Sequence, residues 1–173
     1  GIAGYKGQSM GDCSIINSAF LGTVNSALYA GGIIGSGYNG YGSTGVNSAP
    51  NTPTVTILNC YVVADITGKG NVGGILGTEP SCECCWSNGE GTLSNNYFKG
   101  TVTETSGTGN VGGIVGFMRS FDKYQGFDSN FYNKDCGAKS GIGKIEEIIT
   151  KDHKKYGATY GIDYVFDESK VCI

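Results

Sequence analysis

Apolar positions along residues 1–133 fall into two short strings that recur, and neither string has helical spacing. The first string reads Gly31-Gly32-Ile33-Ile34-Gly35, Gly73-Gly74-Ile75-Leu76-Gly77 and Gly112-Gly113-Ile114-Val115-Gly116, with a truncated copy, Gly1-Ile2-Ala3-Gly4. The second covers residues 15–24, 57–66 and 93–102, with a shorter form at 127–133. It is rich in β-branched and aromatic side chains, such as Val62, Val63 and Ile66, or Phe98, Thr101 and Val102. Gly, Asn, Ser and Thr flank it. This pattern predicts short strands joined by tight turns.

Aligned on the second glycine, the copies begin at Gly1, Gly32, Gly74 and Gly113, spaced by 31, 42 and 39 residues. The extra length lies almost wholly at one corner, in residues 36–56 and 78–92, against the shorter 5–14 and 117–126. Only residues 104–110 add length elsewhere. The underlying unit is about 31 residues, present about three and a half times. Equivalent positions then form columns: Ile15, Ile57, Leu93, Phe127; Phe20, Val62, Phe98, Tyr132; Val24, Ile66, Val102; and the small residues Gly22, Ala64, Gly100.

Strand side chains alternate with period two, so positions 20, 22 and 24 share a face. Position 15 is out of phase with them. The column Asn17, Asn59, Asn95 therefore reads as a bend, because asparagine tolerates left-handed backbone. Columns of like residues at one repeat distance predict an all-β fold, a β-solenoid (β-helix) with stacked interiors. The glycines suit a crowded corner, where they allow positive φ and close backbone approach. The aliphatic pair between them fills the core.

From Lys134 onward the strings stop. Ile145, Ile148, Ile149 and Tyr156 suggest one face of a short helix over about residues 144–156, stopped at Gly157. Ile162, Tyr164 and Phe166 alternate with Asp163, Val165 and Asp167, which predicts a strand. Residues 134–173 thus read as a small α+β cap on the repeat domain at 1–133, since an open stack needs its end covered.

The glycine string, together with Ile57-Leu58-Asn59-Cys60-Tyr61 and its equivalents, resembles the GLUG repeat family of bacterial surface proteins. The resemblance covers residues 1 to about 133. Asn130-Phe131-Tyr132-Asn133 looks like the close of such an array. It implies an accessory segment of a large secreted or wall-attached protein, such as an adhesin or an immunoglobulin A peptidase, and no catalytic residues. The long second-unit insertion and the third-unit cysteine cluster depart from the family pattern.

Composition narrows the functional classes. The chain has 12 Lys and Arg together, a net charge of −3, and a single arginine, Arg119. No basic stripe for nucleic acid is visible, and no apolar run is long enough to insert in a membrane. The chain opens inside a repeat, which reads as a fragment or processed product whose targeting signals lie elsewhere.

Candidate chemistry is sparse. Cys82-Glu83-Cys84-Cys85-Trp86 is the most unusual stretch. A zinc site would need a second ligand pair at matching spacing, and the only histidine is His153 in the cap. Disulfide stapling is favoured over a reduced or metal-bound cluster, with Cys82, Cys84 and Cys85 in one loop and Cys136 and Cys172 as a second pairing. Cys60, in a column with Ser18 and Asn96, reads as a buried free thiol.

Aromatics gather at the insertion corner: Tyr38, Tyr41, Trp86, Phe121 and Tyr124. Such a row suits a host protein or a glycan, as an adhesive edge. Asp65 and Asp128 stand alone in their columns. Paired carboxylates for glycoside cleavage and a Ser-His-Asp set are both missing. The expectation is a non-catalytic, extracellular or cell-surface stalk with no cofactor and no metal. A neighbouring subunit could stack on the Gly1 end. The alternative is a carbohydrate-binding or carbohydrate-cleaving β-helix.

Overall fold

The computed structural model describes residues 1–6, 13–37, 55–78, 92–120, 127–149, 155–156 and 164–166. Strand β1 (Ala3–Lys6) comes first. One round follows as β2 (Cys13–Ile16), β3 (Ala19–Ser26), β4 (Ala30–Gly31) and β5 (Ile34–Gly37). The next is β6 (Val55–Leu58), β7 (Tyr61–Gly68), β8 (Val72–Gly73) and β9 (Leu76–Thr78). The third is β10 (Thr92–Ser94), β11 (Tyr97–Glu104), β12 (Val111–Gly112) and β13 (Val115–Ser120). Then come β14 (Phe127–Asp128), β15 (Phe131–Asn133), β16 (Ile142–Ile149), β17 (Lys155–Tyr156) and β18 (Tyr164–Phe166).

Each round gives one strand to each of four sheets. Sheet 1 runs β1-β5-β9-β13-β16-β17, and sheet 2 runs β14-β10-β6-β2. Sheet 3 runs β18-β15-β11-β7-β3, and sheet 4 runs β12-β8-β4. All the sheet pairings are parallel except β16 with β17. The described residues are thus all-β and dominated by parallel sheets, an arrangement compatible with a β-helix.

Register follows the sequence columns. Phe20 pairs with Val62, Val62 with Phe98, and Phe98 with Tyr132. Ile15, Ile57, Leu93 and Phe127 are likewise in line, as are Val24, Ile66 and Val102. The described core is made of the buried members of these columns, Ile57, Leu93, Val62, Phe98, Tyr132, Ile66 and Val102, plus the aliphatic pairs: Ile33, Ile75 and Ile114, with Ile34, Leu76 and Val115, are all buried. Each such side chain removed from water contributes about 1.5–3 kcal/mol.

The bends stand where the asparagines predict them. Asn17, Asn59 and Asn95 have φ of 51, 53 and 54°, and Ser129 takes the same place at 53°. The glycine strings differ from expectation in one respect. No glycine of the strings has positive φ; among the described residues those that do are Gly22, Gly100, Gly107 and Gly137. What the strings need is space. A Cβ on Gly74 would fall 2.2 Å from the Gly113 carbonyl oxygen and 2.3 Å from the Phe98 ring.

The described residues of the helix expected over 144–156 are strand instead, and Gly157 lies outside the described residues. Residues 142–149 are strand β16, lying parallel on β13 with Val115 opposite Ile142 and Ser120 opposite Glu147. Lys155 and Tyr156 fold back antiparallel against Ile149 and Ile148. The edge of β13 offers backbone partners, and β-branched Ile142, Ile145, Ile148 and Ile149 favour an extended chain over a helix. No helix occurs among the described residues. The strand expected near residue 164 is present as β18, parallel to β15.

Residues 140–143 also continue the array beyond Asn133. The Gly113 amide donates to the Ser140 carbonyl, and the Ile114 and Val115 amides to the Gly141 carbonyl. Ser140-Gly141-Ile142-Gly143 is a degenerate glycine string.

Candidate functional site

The four sheets set up one corner where the chain repeatedly leaves sheet 1 and re-enters sheet 2. It leaves after Lys6, Gly37, Thr78 and Ser120 and re-enters at Cys13, Val55, Thr92 and Phe127. The segments between are the insertions that the sequence marks as adhesive. Tyr38, Tyr41, Trp86, Phe121 and Tyr124 all belong to them and lie outside the described residues. So do Cys82, Cys84, Cys85, Cys172 and His153. The described part of the corner is its frame. Phe117, half-buried on β13, has the Lys144 ammonium 6.0 Å from its ring centroid.

The turn from sheet 2 into sheet 3 is tied from round to round by buried side chains. Its inner column is Ser18, Cys60, Asn96 and Asn130. The Asn96 Oδ1 accepts the Cys60 amide at 2.9 Å. Its Nδ2 donates to the Ile57 carbonyl and to Asn130 Oδ1, both at 3.0 Å. Asn130 repeats the motif one round on, donating to the Leu93 carbonyl at 2.8 Å and accepting the Asn96 amide at 3.2 Å. Asn96 is fully buried. Buried polar groups must be paired, and here each asparagine satisfies the backbone of the round beside it. Farther along, the Asn110 amide and Nδ2 both donate to Asn71 Oδ1, another rung-to-rung link.

Sequence comparison placed Asn96 in this column but missed the ladder. The available signal was the second residue of Asn17-Ser18, Asn59-Cys60, Asn95-Asn96 and Ser129-Asn130, small and polar in every copy.

Three described cysteines, Cys13, Cys60 and Cys136, are free thiols. Cys60 is buried, as its column predicts, and its Sγ donates toward the Ile15 and Leu58 carbonyls at 3.4 and 3.3 Å. Cys136 is fully buried, and burial pushes its thiol above the usual range. Its proposed partner, Cys172, is outside the described residues.

Asp65 and Glu104 are engaged separately. Asp65 accepts the Thr101 hydroxyl at 2.7 Å on the outer face of sheet 3. Glu104 closes its own loop, accepting the Ser106 amide and hydroxyl and the Gly107 amide. The Ser106 hydroxyl bond is the main cause holding the Glu104 carboxyl below its ordinary range. Among the described residues no three His, Cys, Asp or Glu side chains come together to hold a metal ion.

No protein-family model matches the chain, and no curated protein or solved structure is significantly similar to it.

Proposed function

We propose that the chain is a β-solenoid of GLUG-like repeats that serves as a rigid, non-catalytic stalk. It belongs to a secreted or cell-surface protein and presents its corner insertions to a host protein or a glycan. The supporting observation is the continuous register through successive rounds, with every insertion joining the same two sheets. A stack of that kind can lengthen one edge without disturbing its core, since each round contacts only its neighbours. Stapling by Cys82, Cys84 and Cys85 would stiffen the third-unit insertion around Trp86.

The test is an array of immobilised glycans and extracellular-matrix proteins, probed with the wild type and Trp86→Ala. Binding by the wild type that Trp86→Ala loses is expected, with no release of reducing ends from any bound polysaccharide. Absence of binding would remove the adhesive reading. Release of reducing ends would replace the stalk with a carbohydrate-cleaving β-helix.

A further inference from the structure

Three sheets end on the same side of the molecule, at β2, β3 and β4. Among the described residues none of the three has a strand on its far side. The inward columns are less covered there. Ile15, Phe20 and Val24 are only partly buried. Their neighbours one round in, Ile57, Val62 and Ile66, are at most 1% exposed. Ile2, Leu28 and Tyr29 are exposed at the same end, and on the outer face Leu21 is 63% exposed against 37% for its partner Val63 one round in.

The edge strand itself carries no blunting device. Residues 19–26 of β3 read Ala-Phe-Leu-Gly-Thr-Val-Asn-Ser, without charge or proline. Edges that must stay free are normally guarded by lysine, proline or a bulge. An unguarded strand of eight residues is built to be paired.

One quarter of the next round is already seated. Strand β1 lies parallel on β5, with Ala3 opposite Ile34 and Tyr5 opposite Ser36. The Ala3 amide donates to the Ile33 carbonyl, as Ile34 does to Ile75 one round in. A Cβ on Gly1 would meet the Gly31 carbonyl oxygen at 2.6 Å, so the glycine string packs there as in the other rounds. Among the described residues no strand lies over β2, β3 or β4 in that round, and a unit supplying them in chain order would run into Gly1.

We propose that this rim is a homotypic stacking surface whose occupant is one further unit of the same repeat, running parallel to β3 and joined to Gly1. The occupant places an apolar side chain over Phe20, a small residue over Gly22 and a β-branched residue over Val24. A second copy of the chain fits less well. Meeting the rim face to face, it would bring its own projecting β1, and the two projections would keep the β3 edges from pairing distance. The proposal names the partner at the Gly1 end and rests on the solenoid reading above.

The experiment is amide hydrogen exchange on two proteins. One is the chain as it stands. The other carries a duplicate of residues 55–73 joined to Gly1. In the chain alone, β7 amides should be strongly protected, and the β3 amides that point to the rim should exchange quickly. The extension should slow those β3 amides at least tenfold. A matched extension in which the duplicate's copies of Val62 and Ile66 are replaced by Asp should leave them fast. Unchanged β3 exchange with β7 protected would overturn the rim proposal alone. Rapid exchange in β7 as well would overturn the solenoid reading. Concentration-dependent dimerisation of the unextended chain that protects β3 would assign the rim to a second copy and refute the joined unit.

Discussion

Replacing Asn96 with alanine removes three hydrogen bonds from a site without water access. The Cys60 amide loses its acceptor, the Ile57 carbonyl loses a side-chain donor, and Asn130 Oδ1 loses one of two partners. Asn130 Oδ1 keeps the Asn96 amide, so it is not orphaned. One buried backbone donor, the Cys60 amide, is left without its acceptor, at about 1–3 kcal/mol, and the lost bonds to the Ile57 carbonyl and Asn130 Oδ1 add about 0.5–1.5 kcal/mol each. We expect Asn96→Ala to destabilise the fold by about 4 kcal/mol, a large share of a typical 5–15 kcal/mol stability. The assay is guanidinium unfolding followed by far-UV circular dichroism, with the slope of the transition unchanged. Asn95→Ala is the control, because Asn95 is exposed and its replacement carries only the left-handed backbone term, about 1–2 kcal/mol. An Asn96→Ala midpoint equal to or above that of Asn95→Ala would refute the ladder as a source of stability.

Three further outcomes are expected. Gly74→Ala should destabilise by more than about 3 kcal/mol, since its Cβ meets backbone and the Phe98 ring, which packing cannot easily relieve; a thermal melt close to wild type would contradict this. Asn59→Gly should be neutral within about 0.5 kcal/mol while Asn59→Val should cost about 1–2 kcal/mol, because β-branching resists φ of 53°; chemical denaturation of both variants checks it. Burial raises the Cys136 thiol above its ordinary 9.0, so the folded state resists thiolate formation. Its contribution is present below pH 9.0 and is lost as pH rises through the folded value. Melting temperatures of wild type and Cys136→Ala, compared from pH 7 to 10, should show the wild type declining more steeply at the alkaline end.

The parallel register could be read from the sequence because the repeat sets like residue over like residue. Phe20, Val62, Phe98 and Tyr132 needed only alignment on the glycine string to fall in one column. The bends at Asn17, Asn59 and Asn95 could be read because few residue types accept left-handed backbone. Strand β16 could not. Its isoleucines at 142, 145, 148 and 149 satisfy a helical spacing, and the open edge of β13 together with their β-branching decides for the extended chain. Ser140-Gly141-Ile142-Gly143 was obscured because serine and glycine stand where Gly113 and Ile114 would. The Asn96–Asn130 ladder was half-visible: the column showed polar residues inside, but their bonds run between rounds and have no local signature. The corner insertions lack the repeat altogether, so their aromatics can be assigned to an edge but not to contacts.

The measurement closest to the central claim is a set of nuclear Overhauser contacts from the Val62 methyl groups. Stacked rounds place Val62 between Phe20 and Phe98, with all three facing inward. Contacts from the Val62 methyls to both rings are the expected result. Val62 methyls in contact with neither ring, or exchanging freely with solvent probes, would contradict the stacking on which the whole account rests.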